Sequence, residues 1–363
     1  MGALGKVNSF AQRTKNTIRH VLASAYYLSG AYRTFHKGKV LILMYHRVLS
    51  QKELNRQYVQ PGMYVRVDVF EKQMQFLKNN YFILSFAELL ESWKEMKLSK
   101  DQQYCVITFD DGWLDNYLHA YPILKKHKIP ATIFLPTDLI GTRQWFWQDE
   151  IGYLLKRYFS NTELQREVPL KQLEANYAWI SRYNQGDWID RIDPTIEAFK
   201  NLSYEKIKHT VNTLSSALHL QVPDEPLLLD WEMVSEMSSE RISFGSHSAT
   251  HQILTKLPHG DLQREIDEPL RLLRQKKVSY IPVFCYPNGS YDDRLMALVR
   301  SIGYEAAVST NSGLERTIPK NLFCLKRTNV HNDVSHTVSL FSLHLSGMAK
   351  MGLGRSKAIP HIG

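Results

Sequence analysis

The chain has 363 residues, 44% of them hydrophobic, which is enough for a real core in one large domain with an insertion, or in two modest domains. Its 45 Lys and Arg exceed its 36 Asp and Glu, and the net charge of +9 points to an anionic surface among its partners, whether membrane, nucleic acid or acidic polymer. Three cysteines, Cys105, Cys285 and Cys324, lie far apart in apolar runs; that excludes a disulfide framework or zinc knuckle and favours buried free thiols.

Residues 1–37 contain no Asp or Glu. Lys6, Arg13, Lys15, Arg19 and Arg33 interleave with Phe10, Ile18, Val21, Leu22, Tyr26 and Leu28, the pattern of a basic amphipathic helix. The apolar stretch over 21–31 is too short and too polar to span a bilayer. Ala23-Ser24-Ala25 mimics a leader cleavage site, but almost no apolar run precedes it; an organellar transit segment would look similar. The arm therefore reads either as an attachment to an anionic membrane surface or as a basic helix packed on the domain. The first reading expects a cytoplasmic protein, peripheral on the inner face of the cell membrane.

Val40-Leu41-Ile42-Leu43-Met44-Tyr45 is an unbroken apolar run and reads as the first buried strand. His46 follows it; a lone histidine there reads as a packing residue and is left out of the chemistry. Phe70, Met74, Phe76 and Leu77 mark a helix, 81–84 a short strand, and 86–93 a second helix. Val106-Ile107-Thr108-Phe109 then ends abruptly in Asp110-Asp111-Gly112, as a buried strand delivering two carboxylates to a glycine turn. Helical spacing over Trp113, Tyr117, Tyr121 and Leu124 and a further apolar run over 131–135 complete a βαβ unit. Such units imply a parallel sheet or barrel with its chemistry at the carboxyl ends of the strands.

From 141 to 228 the pattern turns helical and carries Trp145, Trp147, Trp179 and Trp188, which reads as an insertion in a strand-to-helix loop over the site. Its aromatics could line the site and set what it accepts, although a small core of the insertion's own explains most of them. Further strands are expected in the run that ends at the histidines near 247, at 283–286, 306–309 and 323–327, and a basic tail from about 336. The domain plan is an arm (1–37), a barrel (38–335) interrupted by 141–228, and a tail (336–363).

His247-Ser248-Ala249-Thr250-His251 follows a strand-like run. Two histidines four residues apart share a face if that segment is a helical turn, so both can reach one ion. With one Asp they make a three-donor set with open positions, which suits a catalytic divalent metal, Zn²⁺ foremost.

Thr108-Phe109-Asp110-Asp111-Gly112, His247-Ser248-Ala249-Thr250-His251 and Tyr286-Pro287-Asn288-Gly289 together resemble the polysaccharide deacetylase family (carbohydrate esterase family 4, the chitin-deacetylase-like enzymes) over about 40–335. The resemblance implies an α/β fold, a distorted (β/α) barrel. It also implies metal-dependent removal of acetyl groups from N-acetylated sugars of a polysaccharide or lipid-linked glycan. It makes Asp111, His247 and His251 the metal ligands and Asp110 the base, with the Asn288 backbone N–H as oxyanion donor and Tyr286 beside the substrate. The chain departs from the family where Cys285 stands in place of an arginine that pairs with the base; Arg327 is the expected substitute. No clean match to the family's acid motif exists. His331, after the last strand, is preferred to His344 in Leu343-His344-Leu345. A non-catalytic glycan-binding or scaffold protein that keeps the barrel is the alternative. Adjacent carboxylates argue against a glycosidase, whose two acids stand roughly 5–9.5 Å apart. No basic–aromatic module suggests nucleic acid.

Overall fold

The structure is a computed structural model and describes residues 3–176 and 189–348. Seven strands lie side by side in chain order: β1 (Lys39–Tyr45), β2 (Gln103–Phe109), β3 (Ala131–Leu135), β4 (Ile242–Ser246), β5 (Tyr280–Cys285), β6 (Ala306–Ser312) and β7 (Leu325–Asn329). All are parallel, and β7 returns to β1 with Thr328 and Asn329 opposite Leu43 and Met44, so the ring closes. This is the expected (β/α) barrel. The last strand begins later than the apolar pattern suggests, because Leu322–Cys324 form a short 3₁₀ turn ahead of it.

β1, β2 and β3 show no polar alternation because both their faces are buried. Leu41, Leu43, Tyr45, Ile107, Phe109 and Ile133 face the surrounding helices and join one core cluster. The alternate residues Val40, Ile42, Val106, Phe134, Val283 and Val308 belong to a second. Register aligns the strand ends: Phe109 stands opposite Tyr45 and Ile133, and Ser246 opposite Leu135. The next residues along, His46, Asp110 and His247, therefore emerge at one mouth.

α1 (Ala3–Leu28) packs along the outside, beside α2 (Val67–Asn80) and the last helix described. The insertion contains α3 (Trp147–Phe159), α4 (Ile189–Phe199) and α5 (Tyr204–Ala217) and has its own core, including Ile151, Leu155, Ile196, Phe199, Ile207 and Leu214. Trp179 and Trp188 lie outside the described residues. The returning chain is stitched to the acidic turn, with Leu114 N–H donating to Leu227 O (2.8 Å) and Leu229 N–H to Gly112 O (2.9 Å). After β4 comes α6 (His259–Gln275). The expected tail starts inside the fold: α7 (Val338–Leu345) buries Phe341 against Phe76 of α2. Residues 349–363 lie outside the described ones.

Candidate metal and catalytic site

The turn after β2 is built on two successive left-handed residues, Asp111 (φ 74°) and Gly112 (φ 65°). At Gly112 a side chain would also meet Leu135 Cδ2 at 2.8 Å, so only glycine fits. Asp111 has no such freedom, and a non-glycine residue held there costs of order 1–3 kcal/mol, a strain that the paired backbone of 227–229 helps to hold.

The histidine segment is a loop and not the helical turn expected from its spacing. His247 N–H donates to Leu135 O (2.9 Å), after which the chain doubles back through left-handed Ser248 and His251, each at φ 62°. Buried Glu265 of α6 fixes the loop: its carboxylate accepts from Thr250 N–H (3.0 Å) and Thr250 Oγ1 (2.8 Å). The outcome is the same as a helical turn would give. His247 Nε2 and His251 Nε2 lie 3.2 and 3.1 Å from Asp111 Oδ1.

Their supports are in place. His247 Nδ1 donates to Cys285 O (2.8 Å), which leaves Nε2 as the donor toward an ion, and Trp113 Nε1 donates to Asp111 Oδ2 (3.0 Å). Burial alone would raise the Asp111 carboxyl, but the His251 and His247 imidazoles outweigh it and hold it well below the ordinary carboxylate range. One carboxylate and two imidazoles, their donor atoms within 4.8 Å of one another, fit a divalent cation of zinc's ligand preference. Asp110, His247 and Cys285 also cluster, but they fit poorly. Burial pushes the Cys285 thiol up, and the Arg327 guanidinium already sits on Asp110 and, at 3.2 Å, on Cys285 Sγ.

Arg327, fully buried on β7, donates through both terminal nitrogens to the two oxygens of Asp110, each at 2.6 Å. Its Nε donates to Ser309 O (2.9 Å) and Nη1 also reaches Thr108 Oγ1 (3.1 Å). One side chain thus bridges β2, β5, β6 and β7 across the barrel interior. Burial would raise the Asp110 carboxyl, but the Arg327 charge prevails and keeps it below the usual range.

His46 is the residue the sequence reading left aside. It lines the cavity with Nε2 4.0 Å from Asp110 Oδ2, its buried Nδ1 has no hydrogen-bond partner among the described residues, and burial lowers its basicity. The histidines expected to act as acid stand elsewhere. His331 pairs with Asp333 (3.2 Å), His344 Nε2 meets Asn329 O (2.7 Å), and neither is among the described residues lining the cavity. Tyr286 borders the cavity, but it is wholly buried and its hydroxyl donates to Phe323 O (3.0 Å), so its polar group is engaged in the core. Asn288 does line the cavity, in a left-handed turn at φ 56°.

The cavity measures about 1180 Å³. One wall is the insertion, with Trp145, Trp147, Glu197 and Tyr204; another is the 58–63 loop. Tyr58 hydrogen-bonds Asp193 and Gln60 reaches Glu197 (3.3 Å), which joins the two walls. Asp149 of α3 lines the same space, and burial lifts its carboxyl to about 7, with the Asp111 charge adding to the rise.

Comparison with known proteins agrees with this architecture. The polysaccharide deacetylase family profile matches residues 97–168 and 181–307. The chain belongs to the polysaccharide deacetylase family. It is 33% identical over 132 residues to the poly-beta-1,6-N-acetyl-D-glucosamine N-deacetylase of Staphylococcus aureus, covering 32% of this chain and 43% of that one. YxkH of Bacillus subtilis is 33% identical over 123 residues, covering 33% of this chain and 39% of that protein. This chain thus spans about two fifths of the length of the curated relatives it matches. Among solved structures, the Streptococcus pyogenes deacetylase PplD in complex with acetate superposes with TM-score 0.52 at 20% identity, covering 82% of this chain and 95% of that one. IcaB from Ammonifex degensii gives 0.51 at 15% identity, covering 84% and 97%. At these identities the two structures speak for the fold.

Proposed function

We propose that the protein is a divalent-metal-dependent N-deacetylase of a glycan built from N-acetylated amino sugars. The observation that carries the proposal is the pairing of two carboxylates with opposite commitments. Asp111 faces two imidazoles, while Asp110 beside it is held by Arg327 and left outside that donor set. When bound, the ion would polarise the acetyl carbonyl and acidify a water at this point. Zinc is the ion that the Asp-His-His donors suit best.

Amide hydrolysis needs a proton acceptor, an oxyanion donor and a proton for the departing amine. Asp110 is ionised at neutral pH because Arg327 keeps it so, and it is the proton acceptor. Its bidentate grip fixes the carboxylate plane, so the accepting lone pair has one direction. His46, with Nε2 4.0 Å from Asp110 Oδ2, takes the proton from Asp110 through one bridging water and passes it to the departing amine. The Asn288 N–H donates to the oxygen that becomes negative. The reading of a barrel kept only for glycan binding drew on the missing arginine and the missing acid motif; the Arg327–Asp110 pair and the placement of His46 at the cavity favour the enzyme over it.

The test is acetate release from β-1,6-linked N-acetylglucosamine oligomers by the protein after chelation and after Zn²⁺ is restored. Release that returns with zinc, and that Asp110→Asn abolishes while retaining the bound metal, is the expected result. Full activity in Asp110→Asn, or no bound metal in the native protein, rejects the proposal.

A further inference from the structure

The face that α1 turns to the domain is not its aliphatic face. Arg19, Ala23, Tyr26 and Tyr27 make the contact. Arg19 donates to Val334 O (2.6 Å), His20 and His336 meet ring to ring (5.5 Å), and Ala23 packs with Leu340 and Leu343 of α7. Tyr27 stacks on Tyr32 at 5.2 Å. On the opposite side, Ile18, Val21, Leu22 and Leu28 recur at helical spacing and are 44, 62, 49 and 83% exposed. A helix that merely packed on the barrel would bury those four and leave the small and polar positions outside. Here the order is inverted, and a continuous aliphatic stripe stays in water.

Charge selects what would cover it. Residues 1–37 carry Lys6, Arg13, Lys15, Arg19, Arg33 and Lys37 and no acidic residue, so six of the net nine positive charges sit in this short segment. A basic helix with an aliphatic stripe matches the boundary of an anionic bilayer, where acyl chains take the stripe and headgroups the cations. None of the described helices is long and apolar enough to cross a membrane, so the contact would lie in the plane of the surface.

Position adds a consequence. Arg19 and His20 contact residues 334 and 336, just past the carboxyl end of β7, whereas the chain leaves α1 to enter β1 at the opposite end of the barrel. The helix therefore extends from the catalytic end, and the residues before Arg19 continue past it for roughly 24 Å at 1.5 Å per residue. Gly62, which lines the cavity, is tied by its N–H to Asp333 (3.2 Å) in that same corner. We propose that α1 docks on an anionic lipid surface through Ile18, Val21, Leu22 and Leu28 and holds the cavity mouth beside the membrane.

The experiment is sedimentation of the full chain with vesicles of phosphatidylglycerol and phosphatidylcholine, against vesicles of phosphatidylcholine alone. Its readout does not depend on the deacetylase reading, since an inactive barrel would sediment equally well. Binding to the anionic vesicles only, weakened by salt, is expected. The double variant Val21→Glu/Leu22→Glu should lose about tenfold or more in vesicle affinity with thermal unfolding unchanged. Lys6→Ser/Lys15→Ser should weaken binding while leaving the stripe intact. Equal sedimentation with both vesicle types, or undiminished binding of the glutamate variant, overturns the proposal. So does light scattering that shows a dimer which the glutamate variant dissociates, for then a second copy covers the stripe.

Discussion

At the scale of single residues, the site rests on contacts between side chains far apart in the chain. His46→Gln should lower kcat by roughly two orders of magnitude with metal content unchanged, whereas His331→Ala should leave kcat within about twofold. Steady-state acetate release on the two variants checks this. Arg327→Met leaves Asp110 charged and unpaired in the interior and should cost about 3–5 kcal/mol in denaturant unfolding. Adding Asp110→Asn to that variant should recover much of the loss, because no lone charge remains. The acidic pair and the two histidines were legible in the sequence because each sits in a compact motif after an apolar run. His46 was not, because a lone histidine at a strand end gives no local sign of the carboxylate it meets. His331 and His344 were misleading for the same reason: their position along the chain fits, but Asp333 and the Asn329 carbonyl engage them instead.

At the scale of elements, continuous apolar runs gave the strands away, and β3 spans the expected residues 131–135 without change. The histidine loop shows where such reading stops. Neither Ser248 nor His251 is a glycine, so nothing in their chemistry announces a left-handed backbone, and spacing alone suggested a helix. The insertion's place over the site followed from its location in a strand-to-helix loop, but its docking did not. Gly152 of α3 lies against the Tyr58 ring so closely that a single methyl group there would collide with it. Gly152→Ala should therefore cost about 1–3 kcal/mol and tilt the insertion away from the 58–63 loop. Turnover of long acetylated oligomers should fall more than turnover of a monosaccharide substrate, which needs only the floor of the cavity. Comparing kcat/KM on the two substrates tests that difference.

For the molecule as a whole, stability should depend on pH through a group remote from the candidate site. His36 is fully buried with Nδ1 2.8 Å from the Tyr81 hydroxyl, and burial lowers its pKa to about 4. The unfolded chain binds a proton at this residue near pH 6.5 and the folded chain only near 4. This contribution to stability is therefore complete above about 6.5 and is lost as pH falls toward 4, by up to roughly 3 kcal/mol. Thermal unfolding at about pH 7.5 and pH 5 should show the decline, and His36→Gln should flatten it. Zinc should act in the opposite sense, raising the unfolding temperature of chelated protein by binding only the folded donor set, about 2.7 kcal/mol at a hundredfold excess over Kd.

The guanidinium that grips the Asp110 carboxylate belongs to the strand that completes the ring, more than two hundred residues after the carboxylate itself. During synthesis Asp110, Asp111, His247 and His251 leave the ribosome well before Arg327 does. A nascent chain thus carries all three candidate donors before it has the group that fixes the Asp110 carboxylate. On the proposed chemistry, turnover should begin only when the last strand closes the barrel, so a chain truncated before Arg327 should release no acetate.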